Sequence, residues 1–279
     1  MDRYCVVGNP IEHSLSPQIH QEFAAQTDQA LVYEKAHVEL GGVAQFLQEF
    51  VASGGRGLNI TVPFKVDAFQ LATQRHGLAN IANAVNTLSI DGDNVIGYNT
   101  DGVGFVRDLD QRHGFQLQGK SVLILGAGGA CRGIVEPLLS GNPSQVTIAN
   151  RTLANAQALR DLFVGRHGYE RIEAVGVDTL TEDGHSHYDL VVNSTSQGLS
   201  SEAIELPVFL ARGAFCYDMS YGAKAKFALW AEAHGAVFSV DGLGMLVEQA
   251  AESFKIWRGV RPDTEEIYQR LKKQIGAEL

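Results

Sequence analysis

Hydrophobic and polar positions alternate along this chain with two different periods, which predicts strands and helices in regular succession. Apolar runs of strand length lie at Tyr4–Gly8 and Leu31–His37. Between such runs, Val43–Ser53 places its apolar residues at helical spacing and is followed by a cluster of glycines that ends it. Alternating strands and helices favour a mostly parallel sheet with helices on both faces, so we expect an α/β fold.

The pattern continues with a strand, a helix and a hairpin. Leu58–Val62 is a predicted strand, and Lys65–Arg75 is a predicted helix. The runs Asn86–Ile90 and Val95–Tyr98 flank the sequence Asp-Gly-Asp-Asn, which is typical of a tight turn between antiparallel strands. We therefore expect one antiparallel hairpin within the N-terminal part of the chain.

A second alternating pattern begins after Gly119 and is typical of a Rossmann-like unit. Ser121–Leu125 is a continuous apolar run, as in strands buried on both faces of a parallel sheet. A glycine-rich segment and a helix to about Ser140 follow it. The later predicted strands are Gln145–Ala149, Arg171–Val177, Leu190–Asn193, Cys216–Asp218 and Val237–Val240. The later predicted helices are Leu153–Val164, Lys224–His234, Leu246–Trp257 and Thr264–Lys272.

Length and charge narrow the range of functions. The 279 residues suggest two domains, and the formal net charge of −10 argues against nucleic acid as a partner. No apolar stretch is long enough for a membrane span, and no signal peptide is evident at the N-terminus. The three cysteines lie in apolar or small-residue contexts, which favours reduced thiols and a cytoplasmic protein. A catalytic thiol is disfavoured, since no cysteine has a basic partner signalled in the sequence.

The glycine-rich segment after the apolar strand predicts a dinucleotide site. Its glycines permit a tight turn and a close approach of the backbone to a pyrophosphate, and the following helix offers free N–H groups. A lone glycine-rich match is weak evidence, but here the required strand precedes it and the required helix follows. Cys131 occupies the third glycine position of the motif, which requires slightly looser packing between helix and strand. The predicted contacts are Gly126, Ala127, Gly128, Gly129 and Ala130.

The end of the next strand indicates which dinucleotide binds. An NAD site usually carries an acidic residue there, which bonds to the ribose 2′-hydroxyl. This chain has Asn150, Arg151 and Thr152 instead. Because a guanidinium can pair bidentately with a 2′-phosphate, we predict NADP as the cofactor. The alternative is that Arg151 is a solvated charge at the end of the strand.

Four N-terminal segments combine hydroxyl, amide and ionisable side chains at or beside the ends of predicted strands. Open α/β sheets bind their ligands at such strand ends. Hydroxyls and amides suit a polyhydroxylated small molecule, because each buried substrate hydroxyl needs a hydrogen-bond partner. The segments span residues 8–17, 59–65, 83–87 and 98–102.

These segments resemble the motifs of the shikimate dehydrogenase family. The matching patterns, in chain order, are GNPIxHSxSPxxH, NxTxPxK, NAVNT, NTDGxG, GAGGA, NRT, DMSYG and DGxGMLxxQAA. The resemblance covers essentially the whole chain. It implies NADP-dependent, reversible reduction of 3-dehydroshikimate to shikimate, a step of aromatic amino-acid biosynthesis.

The resemblance also implies roles for individual residues. Lys65 and Asp101 correspond to the catalytic pair, which also contacts the substrate. Ser14 and Ser16 correspond to the hydroxyls that bind the substrate carboxylate. The implied partners of the ring hydroxyls are Thr61, Asn86 and Gln249, with Tyr221 nearby. The implied cofactor contacts are the glycine-rich segment, Asn150 to Thr152, Met219 and Gly242.

Oxidation of a secondary alcohol, the reverse of that reduction, removes a hydride and a proton. The nicotinamide takes the hydride, and a side chain must accept the proton. Lys65 is the first candidate, and the proton is assigned to the Lys65–Asp101 couple rather than to one member. The alternative is that the two residues form a structural ion pair at a domain joint. For Ser14 and Ser16, the alternative is helix capping before Pro17, and one of them could do both jobs.

The sequence thus predicts an N-terminal α/β substrate domain and a Rossmann-like NADP-binding domain with a cleft between them. Residues 1–102, completed by the C-terminal helices in 244–279, are the predicted substrate-binding and catalytic domain, and residues 103–243 bind NADP. The expected partner is a small molecule, with no nucleic acid, membrane or metal, and the protein is expected to be a monomer or homodimer. Two rival functions stay open: a quinate/shikimate dehydrogenase with broader substrate or NAD use, and a dinucleotide-binding regulator without catalysis.

Overall fold

The structure of the chain is a computed structural model that describes residues 1–167, 170–183, 187–195 and 206–278. The chain divides into two compact units, each with its own six-stranded sheet. The first unit comprises Met1–Arg107 and Leu246–Leu271, and the second comprises Asp108–Met245 and Lys272–Leu279. Within the described ranges, no helix is long and apolar enough to cross a membrane.

Strands and helices follow each other much as the hydrophobic pattern predicts. The strands are β1 (Asp2–Gly8), β2 (Leu31–His37), β3 (Gly55–Ile60), β4 (Gln74–Arg75), β5 (Thr87–Asp91), β6 (Asn94–Tyr98), β7 (Ser121–Leu125), β8 (Gln145–Asn150), β9 (Ile172–Gly176), β10 (Leu190–Asn193), β11 (Phe215–Asp218) and β12 (Phe238–Val240). The helices are α1 (Ser16–Gln26), α2 (Val43–Ala52), α3 (Lys65–Leu71), α4 (Leu78–Ala82), α5 (Asp101–Arg107), α6 (Gly129–Ser140), α7 (Leu153–His167), α8 (Lys226–Ala233), α9 (Leu243–Arg258) and α10 (Glu265–Glu278). A π-helical turn at Asp108–Arg112 continues α5.

The sheet of the first unit is mixed, with the order β2-β1-β3-β5-β6-β4. β1 pairs in parallel with β2 and β3, whereas β5 pairs antiparallel with both β3 and β6. Asp91 faces Asn94 across the turn between β5 and β6, and Gly92 in that turn has a φ of +57°. The predicted hairpin is therefore confirmed, and parallel pairing in this sheet is limited to the β2-β1-β3 side and to the two-residue β4 beside β6.

The predicted helix Lys65–Arg75 is wrong at its C-terminal end. The helix stops at Leu71, because Ala72 adopts an extended conformation. Beyond it, the N–H of Thr73 donates to the carbonyl of Val95 at 2.8 Å, and Gln74–Arg75 pair in parallel with β6. Pairing with a strand that lies some twenty residues further along the chain thus overrides the local preference for helix.

The sheet of the second unit is entirely parallel, with the order β12-β11-β10-β7-β8-β9. This is the strand order of doubly wound dinucleotide-binding folds. In these folds the chain adds strands first on one side of the first strand and then on its other side, and all strands run in parallel. That first strand is β7, and Val122 to Leu125 are buried along it, as the continuous apolar run predicts. The α/β fold class, with a Rossmann-like second unit, is confirmed.

A glycine lets two helices of the first unit approach closely. A Cβ atom built on Gly104 of α5 would lie 2.6 Å from the backbone nitrogen of Gln249 and 2.9 Å from its Cα. Since the obstacle is backbone of α9, a side chain could be accommodated only by displacing that helix. Gly104 therefore determines how near α9 lies to α5 at Gln249.

We predict that Gly104→Ala lowers the free energy of unfolding by roughly 1–3 kcal/mol, as overpacking usually does. Urea denaturation followed by circular dichroism measures this difference. Gly165→Ala is the matched control, because Gly165 also lies in a helix but a Cβ there meets nothing within 4 Å. The control should be neutral or slightly stabilising, since alanine favours helix over glycine. Equal unfolding midpoints for Gly104→Ala and the unsubstituted protein would contradict the packing argument.

Candidate active site

Two of the predicted site residues form a buried ion pair in the first unit. Lys65 is the first residue of α3, and Asp101 is the first residue of α5. The ammonium of Lys65 donates to Oδ2 of Asp101 at 2.5 Å. The two side chains are 12% and 6% exposed, so little water screens the pair. An ammonium that a buried carboxylate holds in one place has the fixed geometry that proton transfer to a ligand requires.

The amide of Asn86 holds the other oxygen of that carboxylate. The backbone N–H of Thr100 donates to Asn86 Oδ1 at 2.9 Å, and because a backbone N–H can only donate, this bond fixes which way the amide faces. Nδ2 of Asn86 then points to Asp101 Oδ1 at 2.9 Å. Asp101 therefore accepts one hydrogen bond on each carboxylate oxygen, from Lys65 and from Asn86.

Gln249 joins this group from α9. Asn86 Nδ2 donates to Gln249 Oε1 at 3.2 Å, and Gln249 Nε2 donates to the carbonyl of Leu246 at 2.9 Å. Both amide ends of Gln249 are thus oriented by the protein. Four of the predicted residues, Lys65, Asn86, Asp101 and Gln249, form one hydrogen-bonded group although 184 positions separate the first from the last, since 249 − 65 = 184.

The remaining predicted residues of the first unit lie at the carboxyl ends of β1 and β3. Thr61 follows β3 and its N–H donates to the carbonyl of Val7 at 2.9 Å, next to the end of β1. Ser14 lies in the loop after β1, and Ser16 is the first residue of α1. The Oγ atom of Ser14 accepts from the N–H of Ser16 at 3.3 Å. The N-cap position is Leu15 and has no side-chain cap, so helix capping in the usual sense does not account for these serines.

In the second unit, the glycine-rich segment lies where the strand order reverses. Gly126 follows β7 with a φ of +103°, a conformation that favours glycine, and a Cβ atom there would lie 2.9 Å from the hydroxyl oxygen of Ser194 after β10. A Cβ atom on Gly128 would meet nothing within 4 Å, so that backbone is open to an approaching group. Gly128 caps α6 without a side-chain bond, which leaves the first N–H groups of the helix for a ligand. The segment therefore fits a pyrophosphate.

Cys131, at the third glycine position of the fingerprint, is fully buried in α6. Burial raises the pKa of its thiol, and the hydrogen bond with the hydroxyl of Ser194 offsets part of that rise. The small thiol thus fits between helix and sheet at the end of β10. The helix still begins at Gly129, so a cysteine in place of the third glycine leaves the glycine-rich turn intact.

The segment that follows β8 presents the predicted 2′-phosphate contacts. Asn150 ends the strand, and its amide donates to the carbonyl of Thr152 at 2.9 Å, which shapes the turn. Arg151 and Thr152 are exposed. An exposed guanidinium directly after the second strand of the sheet is where a 2′-phosphate could be held.

Met219 and Gly242 come together at the far side of the same sheet. A Cβ atom on Gly242 would lie 2.4 Å from the carbonyl oxygen of Met219, so only glycine fits there. The neighbouring Asp218 accepts from Asn193 Nδ2 and from the N–H groups of Ser220 and Phe227, and burial raises the pKa of its carboxyl to about 6. Tyr221, predicted beside the substrate, also belongs to this second unit.

Three parts of the chain match known domains of one family. Residues 6–88 match the shikimate dehydrogenase substrate binding domain, residues 108–202 match shikimate / quinate 5-dehydrogenase, and residues 242–272 match the shikimate 5′-dehydrogenase C-terminal domain. A protein from Alkalilimnicola ehrlichii named shikimate dehydrogenase (NADP(+)) is 53% identical over 275 residues, which cover 98% of this chain and 99% of that protein. The chain belongs to the shikimate dehydrogenase family.

Solved structures with the same architecture agree with membership of the shikimate dehydrogenase family. An Ael1 enzyme from Pseudomonas putida superposes with a TM-score of 0.87 at 40% identity, covering 97% of this chain and 98% of its own. Shikimate 5-dehydrogenase from Thermus thermophilus, in complex with NADP(H) and shikimate, superposes with a TM-score of 0.81 at 30% identity, covering 98% and 99% of the two chains.

Several polar residues near these sites have contacts that the sequence analysis does not assign, although Asn99 and Thr100 lie in the segment 98–102 that it singles out. Thr100 orients Asn86 through its backbone N–H, which any residue type except proline would supply. Asn99 accepts from the N–H of Asp101 at 3.1 Å and so holds the start of α5. Ser194 and Thr195 follow β10 opposite the glycine-rich segment, and only the strand order of this shikimate dehydrogenase family member brings them there.

We predict that the three thiols are unreactive in the native protein. Burial raises the pKa of Cys5, Cys131 and Cys216 to about 12, so at pH 8 each stays a protonated, poorly nucleophilic thiol. Ellman's reagent should label none of them natively and all three in guanidinium chloride. Rapid native labelling of any cysteine, with loss of activity, would instead indicate a functional thiol.

Proposed function

We propose that this chain catalyses the reversible, NADP-dependent reduction of 3-dehydroshikimate to shikimate. The observation that carries the proposal is the buried Lys65–Asp101 pair, held at 2.5 Å and bonded to Asn86 beside Gln249. A shikimate dehydrogenase named as NADP(+)-dependent is 53% identical over nearly the whole chain, and a structural relative at 30% identity holds NADP(H) and shikimate. These relatives support the same substrate and cofactor here.

The proposed chemistry divides between cofactor and protein. When bound, NADPH supplies the hydride that reduces the ketone carbon. Lys65 donates a proton to the oxygen as the carbonyl becomes a hydroxyl, and in the reverse direction it takes that proton back. Asp101 keeps the ammonium in place through its Oδ2 atom. Because proton transfer requires a fixed geometry, a pair held by the fold is better suited to it than a solvated lysine.

Substrate recognition is assigned to the polar groups around this pair. We propose that Ser14 and Ser16 bind the carboxylate, and that Thr61, Asn86 and Gln249 bind the ring hydroxyls, with Tyr221 contributing. The cofactor is held by Gly126 to Ala130, by Asn150 to Thr152, and by Met219 and Gly242. In this assignment Asn86 and Gln249 exchange part of their mutual hydrogen bonding for the substrate. Both amides are already oriented by the protein, Asn86 by the N–H of Thr100 and Gln249 by the carbonyl of Leu246.

The proposal extends to the organisation of the protein. We propose that residues 1–102 with 244–279 form the substrate-binding and catalytic domain, and residues 103–243 the NADP-binding domain. The compact units differ from these bounds, since they place 103–107 in the first unit and 244–245 and 272–279 in the second. Three unpaired, buried cysteines support a reducing compartment, and so the cytoplasm. The protein is proposed to be a monomer or homodimer, which sedimentation equilibrium would decide.

Removal of the lysine tests the catalytic proposal. In an assay of NADPH formation from shikimate, we expect Lys65→Ala to lower kcat by roughly 10²–10⁴-fold, the usual contribution of general acid–base catalysis, with a modest change in KM. Lys120→Ala is the control, because Lys120 forms a comparable but partly exposed ion pair with Asp189 at 3.1 Å. A kcat for Lys65→Ala within about twofold of the unsubstituted protein would leave the pair only a structural role.

Removal of the arginine tests the cofactor assignment. We expect Arg151→Ala to raise KM for NADP roughly tenfold or more, because a hydrogen bond to a charged group contributes about 1.5–3 kcal/mol. KM for NAD should hardly change, since NAD lacks the 2′-phosphate. Arg160→Ala, which removes a partly exposed arginine paired with Asp161 on α7, is the control.

Parallel assays with quinate test the alternative of a quinate/shikimate dehydrogenase with broader substrate or NAD use. If quinate with NAD turned over as fast as shikimate with NADP, the specific proposal would be refuted.

A further inference from the structure

One face of α9 is hydrogen-bonded to the strand that begins beside Asn86. Gln249, Ser253 and Trp257 are spaced four residues apart, so their side chains share a face of the helix. Their partners are consecutive: Gln249 bonds to Asn86 at 3.2 Å, Ser253 to Thr87 at 2.8 Å and Trp257 to the carbonyl of Leu88 at 3.0 Å. All six residues belong to the first unit. The middle contact, between two fully buried hydroxyls, has no role in the function proposed so far.

The hydroxyl of Thr87 is the direct support of the Asn86 amide. It donates to Asn86 Oδ1 at 2.9 Å, the atom that also accepts from the N–H of Thr100. A hydroxyl has one hydrogen and two lone pairs, so with its hydrogen on Asn86 it accepts from the other neighbours. Asn59 Nδ2 donates to it at 3.1 Å, and Ser253 Oγ lies 2.8 Å away, with its one hydrogen shared between Thr87 and the carbonyl of Gln249.

A further donor fixes Asn59 behind Thr87. The hydroxyl of Tyr33 donates to Asn59 Oδ1 at 2.7 Å, so Nδ2 of Asn59 faces Thr87 and Ser253. The ring of Tyr33 stacks on His20 with centroids 4.2 Å apart and planes 5° apart, which limits its movement. Burial lowers the pKa of His20 to about 3, so this end of the network carries no charge at neutral pH.

These hydrogen bonds therefore form a continuous series in which each residue donates to the next one on the way to Asp101. The order is Tyr33 to Asn59, Asn59 to Thr87, Thr87 to Asn86, and Asn86 to the carboxylate of Asp101. Hydrogen bonds aligned head to tail strengthen one another, and in a buried site each member holds the next in a single orientation. The series ends on the carboxylate that holds Lys65.

We propose that Thr87 is a positioning residue for the reaction: its hydroxyl, held by Asn59 and Ser253, fixes the Asn86 amide and through it the carboxylate of Asp101. Thr87 is 0% exposed and acts only through Asn86. The inference rests on the proposed function for its kinetic consequence, whereas its geometric consequence can be observed without turnover.

Two substitutions of Thr87 separate the hydroxyl from its packing. Thr87→Val keeps the shape and removes the donor to Asn86, while Thr87→Ser keeps the donor and removes a methyl group. Thr147→Val is the matched control, because Thr147 is also buried on a strand, β8, but its hydroxyl bonds to Tyr188 in the second unit. The steady-state kinetics of shikimate oxidation with NADP are measured for each variant, with melting temperatures to verify folding.

We expect Thr87→Val to lower kcat about tenfold, the effect of one hydrogen bond, with KM for NADP unchanged. Thr87→Ser should stay within about twofold of the unsubstituted protein, and Thr147→Val should keep its kcat even where its melting temperature falls. An unchanged kcat in folded Thr87→Val would overturn the inference. So would equal losses in Thr87→Val and Thr87→Ser, because the loss would then come from packing.

Crystal structures of the unsubstituted protein and Thr87→Val give a readout that does not depend on activity. In the valine variant the N–H of Thr100 still holds Asn86 Oδ1, so we expect the amide to shift without turning over, and Nδ2 no longer to lie within hydrogen-bond distance of Asp101 Oδ1. An unaltered Asn86–Asp101 contact would overturn the inference. If the unsubstituted protein fails to oxidise shikimate, the proposed function fails, and this structural comparison alone decides the positioning role.

Discussion

The buried contact between an ammonium and a carboxylate is the interaction on which the first unit's site depends. Lys65 and Asp101 begin two short helices, and their charged atoms meet at 2.5 Å with little exposure to water. Removing two charges from water costs free energy, which is recovered only when geometry and further hydrogen bonds are good. The Asn86 amide supplies one such bond, and the N–H groups at the start of α5 favour the negative charge of Asp101. The surrounding network of amides and hydroxyls follows from this need.

The second unit meets a different constraint, which is to bring backbone N–H groups close to phosphates. It does so with residues that have little or no side chain. Gly126 adopts a positive φ, Gly128 leaves open space beside the backbone, and α6 begins directly after it. The proposed function therefore assigns ligand orientation to buried side chains in the first unit, and to the main chain and the exposed guanidinium of Arg151 in the second. This division explains why the glycine-rich motif could be found from the sequence, by its spacing between an apolar strand and a helix.

Most elements of the fold could be predicted, because their signals are local. Ser121–Leu125 is a strand with the predicted bounds, since a continuous apolar run suits only a doubly covered position. The hairpin of β5 and β6 follows from its turn residues. The errors lie where distant pairing decides. Gln74–Arg75 join β6 instead of extending α3, and no local pattern encodes the bond between Thr73 and Val95. The short helices α4 and α5 were missed, as they lack the length for a periodic signal.

The site shows the same limit. The residue types and strand ends suggested where polar chemistry gathers, and the family resemblance assigned Lys65, Asn86, Asp101 and Gln249, which the structure places in one hydrogen-bonded group. Their roles in binding and catalysis stay predictions. Thr87 and Ser253 could not be singled out, because a threonine in a strand and a serine in a helix are ordinary. Only the three-dimensional register between α9 and β5 gives them partners.

The most direct test of the role of the Lys65–Asp101 pair is a crystal structure of the protein with NADP and shikimate bound. We predict that Lys65 Nζ lies within hydrogen-bond distance, about 2.6–3.2 Å, of the hydroxyl that is oxidised, with Asp101 still bonded to that amine. A bound shikimate whose reactive hydroxyl faces another proton acceptor, with the Lys65 amine directed away from it, would contradict the central claim.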